Sequence, residues 1–148
     1  MSAYSLTAPI GCTNYKLRSL LRRVSVVYER EMASTGLKTT QYSVLTHIEK
    51  LAPITQAALA IEMGMDSSTL SRNLKPLVAS GWVAIESGED ARSHTLSLTK
   101  AGVAKRAEAK RAWKRAQLAL NERLGVANVA HLHDVIDQIN NVLLEQVA

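Results

Sequence analysis

PITQAALAIEMGMDSSTLSRNLKPLVASGWVAIESGEDARSHTLSLT (residues 53–99) is the stretch that decides the fold. Thr55 is placed to cap a short helix over Gln56 to Glu62, with Leu59 as its apolar anchor. Met63-Gly64-Met65 follows as a turn, Gly64 supplying the backbone freedom that a tight turn needs. Asp66 or Ser67 caps a second helix that runs to about Ser80, and Gly81 stands at its C′ position. Trp82 to Glu86 and His94 to Leu98 alternate, with Val83 and Ile85 sharing one face and Leu96 and Leu98 inward. Between them, residues 87–93 form a polar hairpin tip.

The second helix has two faces. Leu70, Leu74, Leu77 and Val78 recur at i, i+4, i+7 and i+8 and pack inward. Ser68, Ser71, Arg72 and Lys75 form the outward face, with Ser67 and Thr69 near the N-terminus. Short hydroxyl side chains let a backbone approach base edges and phosphates, Arg pairs bidentately with guanine, and helix N-terminal amides favour phosphate. The plain alternative is a solvated helix face. The capped helix and glycine turn before it favour a helix-turn-helix. Pro76 removes one helical hydrogen bond, but after Arg72.

Outward from this stretch, residues 1–11 read as a flexible N-terminal arm. A helix is expected from Thr13 to Ser34, ended by Gly36, and another from a cap at Thr39 or Thr40 to Leu51. Thr99 caps a long helix to Leu124 whose first half is basic from Lys100 to Arg115. Gly125 breaks it. Val129, Leu132, Ile136, Ile139 and Leu143 then repeat at alternating spacings of three and four, a coiled-coil-like seam.

Whole-chain properties fit one domain of 148 residues. Its 47% hydrophobic content is that of a soluble globular protein. The formal charge of +5 permits nucleic-acid binding through counterion release. The single cysteine, Cys12, makes no internal disulfide, which points to a reducing compartment. The N-terminus lacks a secretory pattern and nowhere do 18 apolar residues run together, so a cytoplasmic protein without a membrane partner is expected. Catalysis and metal binding find no support. His131 and His133 stand two apart and face different sides, Cys12 has no nearby His or Asp, and there is no phosphate-binding glycine loop. No cofactor is implied.

A hairpin directly after a helix-turn-helix is the winged-helix layout, and here the chain resembles the MarR family of bacterial transcription regulators. The matching residues are Gly36-Leu37, Gln41, Thr55-Gln56, Leu59-Ala60, Ser68-Thr69, Arg72, Leu77, Gly81, Val83, Asp90-Ala91-Arg92 and Leu98-Thr99-Lys100-Ala101-Gly102, between about residues 13 and 146. The resemblance implies a mainly α fold with a small β-hairpin wing. It places a winged helix-turn-helix lobe at about 37–99 within a single domain, 12–148. It also implies a homodimer built from helices at about 13–34 and 100–147, which binds double-stranded DNA at a pseudo-palindromic operator.

By position, Arg92 is the wing arginine that enters the minor groove and Asp90 the residue that holds it; otherwise they are an exposed ion pair. With Glu86, Glu89 and Asp90 this wing is acidic apart from Arg92. A repressor released by a small aromatic or anionic effector is implied, with Arg18, Arg22, Arg23, Tyr42, His47 and Trp113 as candidate pocket residues. Against that, the aromatics are core and the arginines solvated. Cys12, near Lys16, is a candidate redox sensor or an inert thiol. The alternative function is a winged-helix architectural or protein-interaction module without a ligand switch.

Overall fold

The computed structural model describes residues 10–88, 90 and 93–145. Its first helix, α1 (Thr13–Met32), tightens into a 3-10 turn over Ala33–Thr35 instead of staying α-helical to Ser34. Thr35 causes the change. Its hydroxyl donates to the Met32 carbonyl (2.7 Å) and accepts from the Leu37 N–H (3.1 Å), which buries a polar side chain with its bonds made. Gly36 then turns the chain at φ 72°.

Helix α2 (Thr39–Leu51) is capped ahead of both Thr39 and Thr40. Lys38 takes the cap position, and its N–H donates to the Gln41 Oε1 at 2.9 Å. Thr39 is already helical and buries its hydroxyl oxygen. Tyr42, Val44, Leu45 and Ile48 point inward.

Two residues, Ile54–Thr55, form a strand, β1, that the sequence pattern did not reveal. It joins β2 (Val83–Ser87) and β3 (His94–Leu98) in an antiparallel sheet of order β1-β3-β2. Val83 stands opposite Leu98, and Ile85 opposite Leu96. Both strands therefore share an apolar face, but cover runs out along the edge strand β2, while Leu96 of the central β3 stays buried. Val83 is buried and Leu98 half-buried, whereas Ile85 is 53% exposed.

Helix α3 (Gln56–Glu62) is capped by Thr55, whose hydroxyl accepts from the Ala58 N–H at 3.2 Å. Gly64, at φ 60°, makes the turn into α4 (Ser67–Ala79). Helix α4 runs past Pro76, which sits exposed in its last turns. Leu59, Leu70, Leu74 and Leu77 from these helices meet Leu45, Ile48, Val83 and Leu96 in the core. Burying one such leucine contributes about 1.5–3 kcal/mol.

Helix α5 (Lys100–Leu124) lies along α1 and also meets α2. Its buried stripe is Ala109, Ala112, Ala116 and Leu120, mostly small side chains that let the neighbouring helices come close. At this seam the Tyr28 hydroxyl donates to the Gln117 Oε1 (2.5 Å), and Arg115 pairs with Glu31 (2.9 Å). Burial raises the Tyr28 pKa. The neutral phenol is the form the fold favours, so its contribution is full below the ordinary tyrosine range and is lost as pH rises through the raised value.

At its start, α5 is locked to the wing. Thr99 caps it, accepting from the Gly102 N–H (2.9 Å) while donating its hydroxyl to the Gly81 carbonyl (2.6 Å). The Thr99 N–H donates to the Trp82 carbonyl (3.1 Å), and Lys105 lies 5.0 Å from the centre of the Trp82 ring. After Gly125 comes α6 (Val126–Glu145), of which only Val129 is buried. No helix among the described residues is long and apolar enough to cross a membrane.

Candidate nucleic-acid interface

The outward face of α4 begins with its cap. Asp66 accepts three hydrogen bonds in its first turn. Oδ1 takes the Thr69 N–H (2.8 Å) and the Ser68 hydroxyl (2.6 Å), and Oδ2 takes the Thr69 hydroxyl (2.6 Å). These bonds, the Ser68 one foremost, hold the Asp66 carboxyl far below the usual carboxylate range. A depressed acid contributes fully above its unfolded pKa and loses that contribution only as pH falls toward the lowered native value. The arrangement is therefore ionised throughout the neutral range.

Arg72 extends the chain of bonds by donating from Nη2 to the Thr69 Oγ1 at 3.3 Å. Asn73 donates to the Thr69 carbonyl (2.9 Å) and accepts from the Thr40 hydroxyl (2.9 Å), tying the start of α2 to α4. Ser67, Ser68, Ser71, Arg72 and Lys75 are exposed, and Thr69 is half-buried. The structure thus gathers all six α4 candidates on one surface. The expectation that free N-terminal amides would await a phosphate is revised at Thr69, because Asp66 already occupies that amide.

Between α4 and the wing lies a cleft of about 400 Å³ that Ser71, Lys75, Leu74, Ile85 and Leu96 line. Asp90 is exposed at the wing, and its carbonyl accepts from the Ser93 N–H at 2.9 Å. Arg92 lies outside the described residues, and so does any pairing of it with Asp90.

Segment 35–93, which holds α2, the helix-turn-helix and the first wing strand β2, matches the model of the MarR family. Over that segment the chain is similar to the MarR family. Three solved structures share its fold. A transcriptional repressor, CouR, bound to a 23-mer DNA duplex, is 27% identical with a TM-score of 0.81, covering 87% of this chain and 92% of CouR. The regulator MOSR of Mycobacterium tuberculosis, in complex with DNA, is 28% identical with a TM-score of 0.69, over 87% of this chain and 98% of MOSR. The MarR C80S mutant of Escherichia coli with operator DNA is 22% identical with a TM-score of 0.77, over 85% and 91%, a likeness of fold alone. An uncharacterized HTH-type transcriptional regulator of Bacillus subtilis, YwoH, is 28% identical over 86 residues, 58% of this chain. The match spans 63% of YwoH's length.

The other candidate residues do not converge. Tyr42 is buried, with its ring 6.4 Å from that of Trp113 in the packing of α2 on α5. His47 is half-buried, its Nδ1 2.8 Å from the Ser43 carbonyl. Arg18, Arg22 and Arg23 are exposed on α1. Arg23 lines a groove of about 560 Å³ with Leu20, Val24, Val27, Arg30 and Arg123, whose lining includes none of Arg18, Arg22, Tyr42, His47 and Trp113. Arg30 and Arg123 escaped the sequence reading because they are far apart in the chain and meet only through the packing of α1 on α5. Cys12 is exposed at the start of α1. Among the described residues no group of His, Cys, Asp and Glu is arranged to hold a metal.

Helix α2 bridges the two halves. Besides the Tyr42–Trp113 contact, Glu49 lies 2.9 Å from the Arg106 Nε of α5, an ion pair whose N–H is not aligned to bond. At its other end Thr40 holds Asn73 of α4.

Proposed function

We propose that this chain is a sequence-specific DNA-binding transcriptional regulator, a cytoplasmic repressor that acts as a homodimer on a pseudo-palindromic operator. The observation that carries the reading is the α4 surface, where Ser68, Thr69, Ser71, Arg72 and Lys75 stand together on a helix presented by a helix-turn-helix. The DNA-bound state of the similar CouR and MOSR supports it. In this reading α4 enters the major groove, and Arg92, with Asp90, serves the minor groove. A dimer then meets two half-sites about 34–36 Å apart.

Release by a small anionic or aromatic effector is part of the proposal. The groove between α1 and α5 supports it, because Arg23, Arg30 and Arg123 surround leucine and valine side chains there. Such a lining suits a ligand with an apolar body and an anionic end. Helix α2, joined to α5 and to α4, is the element through which a change at the helices reaches the reader.

The test is binding to a selected duplex and to a random duplex across a salt series. Arg72→Ala is expected to weaken the selected duplex about 10- to 100-fold while changing the random duplex only a few-fold. Equal losses on both would reduce Arg72 to a phosphate contact and defeat the assignment of sequence reading to this face. Arg92→Ala is the companion variant for the minor groove.

A further inference from the structure

We propose that Asp66, resting on the DNA-reading assignment of α4, is a specificity-determining residue that makes Ser68 and Thr69 readers of base amino groups and not of phosphates. Hydrogen-bond polarity imposes this role. A carboxylate only accepts. Hydroxyls 2.6 Å from Asp66 must therefore donate to it: Ser68 to Oδ1 and Thr69 to Oδ2. A hydroxyl has one proton, so what each still offers outward is lone pairs alone. Thr69 commits one of these to Arg72. The remaining lone pairs accept from cytosine N4 or adenine N6, which display N–H groups in the major groove. They make no bond to phosphate oxygens, guanine O6 and N7, or thymine O4, which are themselves acceptors.

A second effect runs the same way. The Asp66 charge is fully exposed at the tip of the reader helix and repels phosphate there. Serine or threonine by itself pairs with any base. Here the cap removes half of that choice. Arg72, whose remaining N–H groups are donors, keeps the opposite preference for guanine, so adjacent residues on one turn read opposite polarities.

Asp66→Asn separates this idea from a capping role. Asparagine caps a helix as well as aspartate does. Its carbonyl replaces Oδ1 for the Thr69 N–H and Ser68, but its amide nitrogen replaces Oδ2 and donates. The Thr69 hydroxyl proton is then turned outward. The experiment is selection from a randomised duplex library by the full wild-type chain, Asp66→Asn and Thr69→Val. Wild type is expected to select cytosine or adenine at a half-site position where Thr69→Val loses that preference. Asp66→Asn is expected to select guanine or thymine there, by about three- to tenfold, the size of one hydrogen bond. A general rise in affinity for all duplexes, expected from losing a negative charge, leaves base identity as the readout.

The inference is overturned if Asp66→Asn selects the same base as wild type at that position, or if Thr69→Val and wild type select identical sites. Asp66→Ser, which keeps a cap and frees both hydroxyl protons, is the second variant should the first not fold. It is expected to broaden selection at the same position. Wild type selecting no sequence at all would instead defeat the DNA-reading function itself.

Discussion

Replacing Gly102 by alanine is expected to cost about 3 kcal/mol of folding stability, although it puts the better helix former into a helix. A Cβ at Gly102 would overlap the carbonyl oxygen of Trp82 and press on its carbonyl carbon. Those are backbone atoms and cannot rotate away. The same carbonyl accepts the Thr99 N–H, and Thr99 also holds Gly81 and caps α5. Relief of the overlap therefore separates α5 from the wing. Elsewhere in a helix, Gly→Ala gains about 0.5–1 kcal/mol. The sign of the change thus decides the matter. Thermal unfolding of Gly102→Ala is expected about 10 °C below the parent. A melting temperature equal to or above the parent's would show that the close approach is absent.

Within Leu98-Thr99-Lys100-Ala101-Gly102 the Thr99 cap was legible from the sequence itself, and the rest only as part of a resemblance. The structure supplies its reason: a cap, a bridging hydroxyl and a residue without a side chain, all at one joint. The reader helix was legible because its apolar residues repeat at helical spacing and its polar face is coherent. Both wing strands were legible because they alternate. The strand Ile54–Thr55 was not, since two residues are too few for alternation, and its pairing with Thr95 and Leu96 spans about forty residues of chain.

The core face of α5 was hidden for a different reason. Ala109, Ala112 and Ala116 carry little hydrophobic signal, and the lysines and arginines between them dominate the pattern. Long-range pairs such as Arg115 with Glu31 and Arg106 with Glu49 depend on helix packing that no local spacing reports. At the reader face, residue types revealed the donors and acceptors, but their polarity came only from the geometry around Asp66. The ligand residues illustrate the limit most clearly. Tyr42 and Trp113 stood out in the sequence as aromatics, but only the fold shows that their rings lie 6.4 Å apart where α2 packs on α5.

An Ile139→Asp, Leu143→Asp double variant is expected to be monomeric and to lose operator binding. On one chain, Ile139 is 47% and Leu143 55% exposed, and neither supports the core of its own subunit. Leu17, Leu20 and Leu21 of α1 are exposed as well. Such surface on a single chain is the mark of an interface. Charge says which helices meet. From Val126 to Glu145 the acidic residues are Asp134, Asp137 and Glu145, with no lysine or arginine, whereas α1 carries Lys16, Arg18, Arg22, Arg23 and Arg30 against Glu29 and Glu31. In the proposed homodimer, α6 of one copy is expected to lie on α1 of the other, apolar stripe to apolar stripe, with opposite charges at the rim. Two carboxylates placed in that stripe each cost several kcal/mol to desolvate, which raises the dimer dissociation constant about 1,000-fold or more. Because both positions are exposed within one subunit, circular dichroism and the melting of the monomer's core are expected to persist. Sedimentation equilibrium reads the outcome directly. A dimer that survives at micromolar concentration would remove α6 from the interface, and a monomer that still binds the two-half-site operator at full affinity would remove dimerisation from DNA recognition.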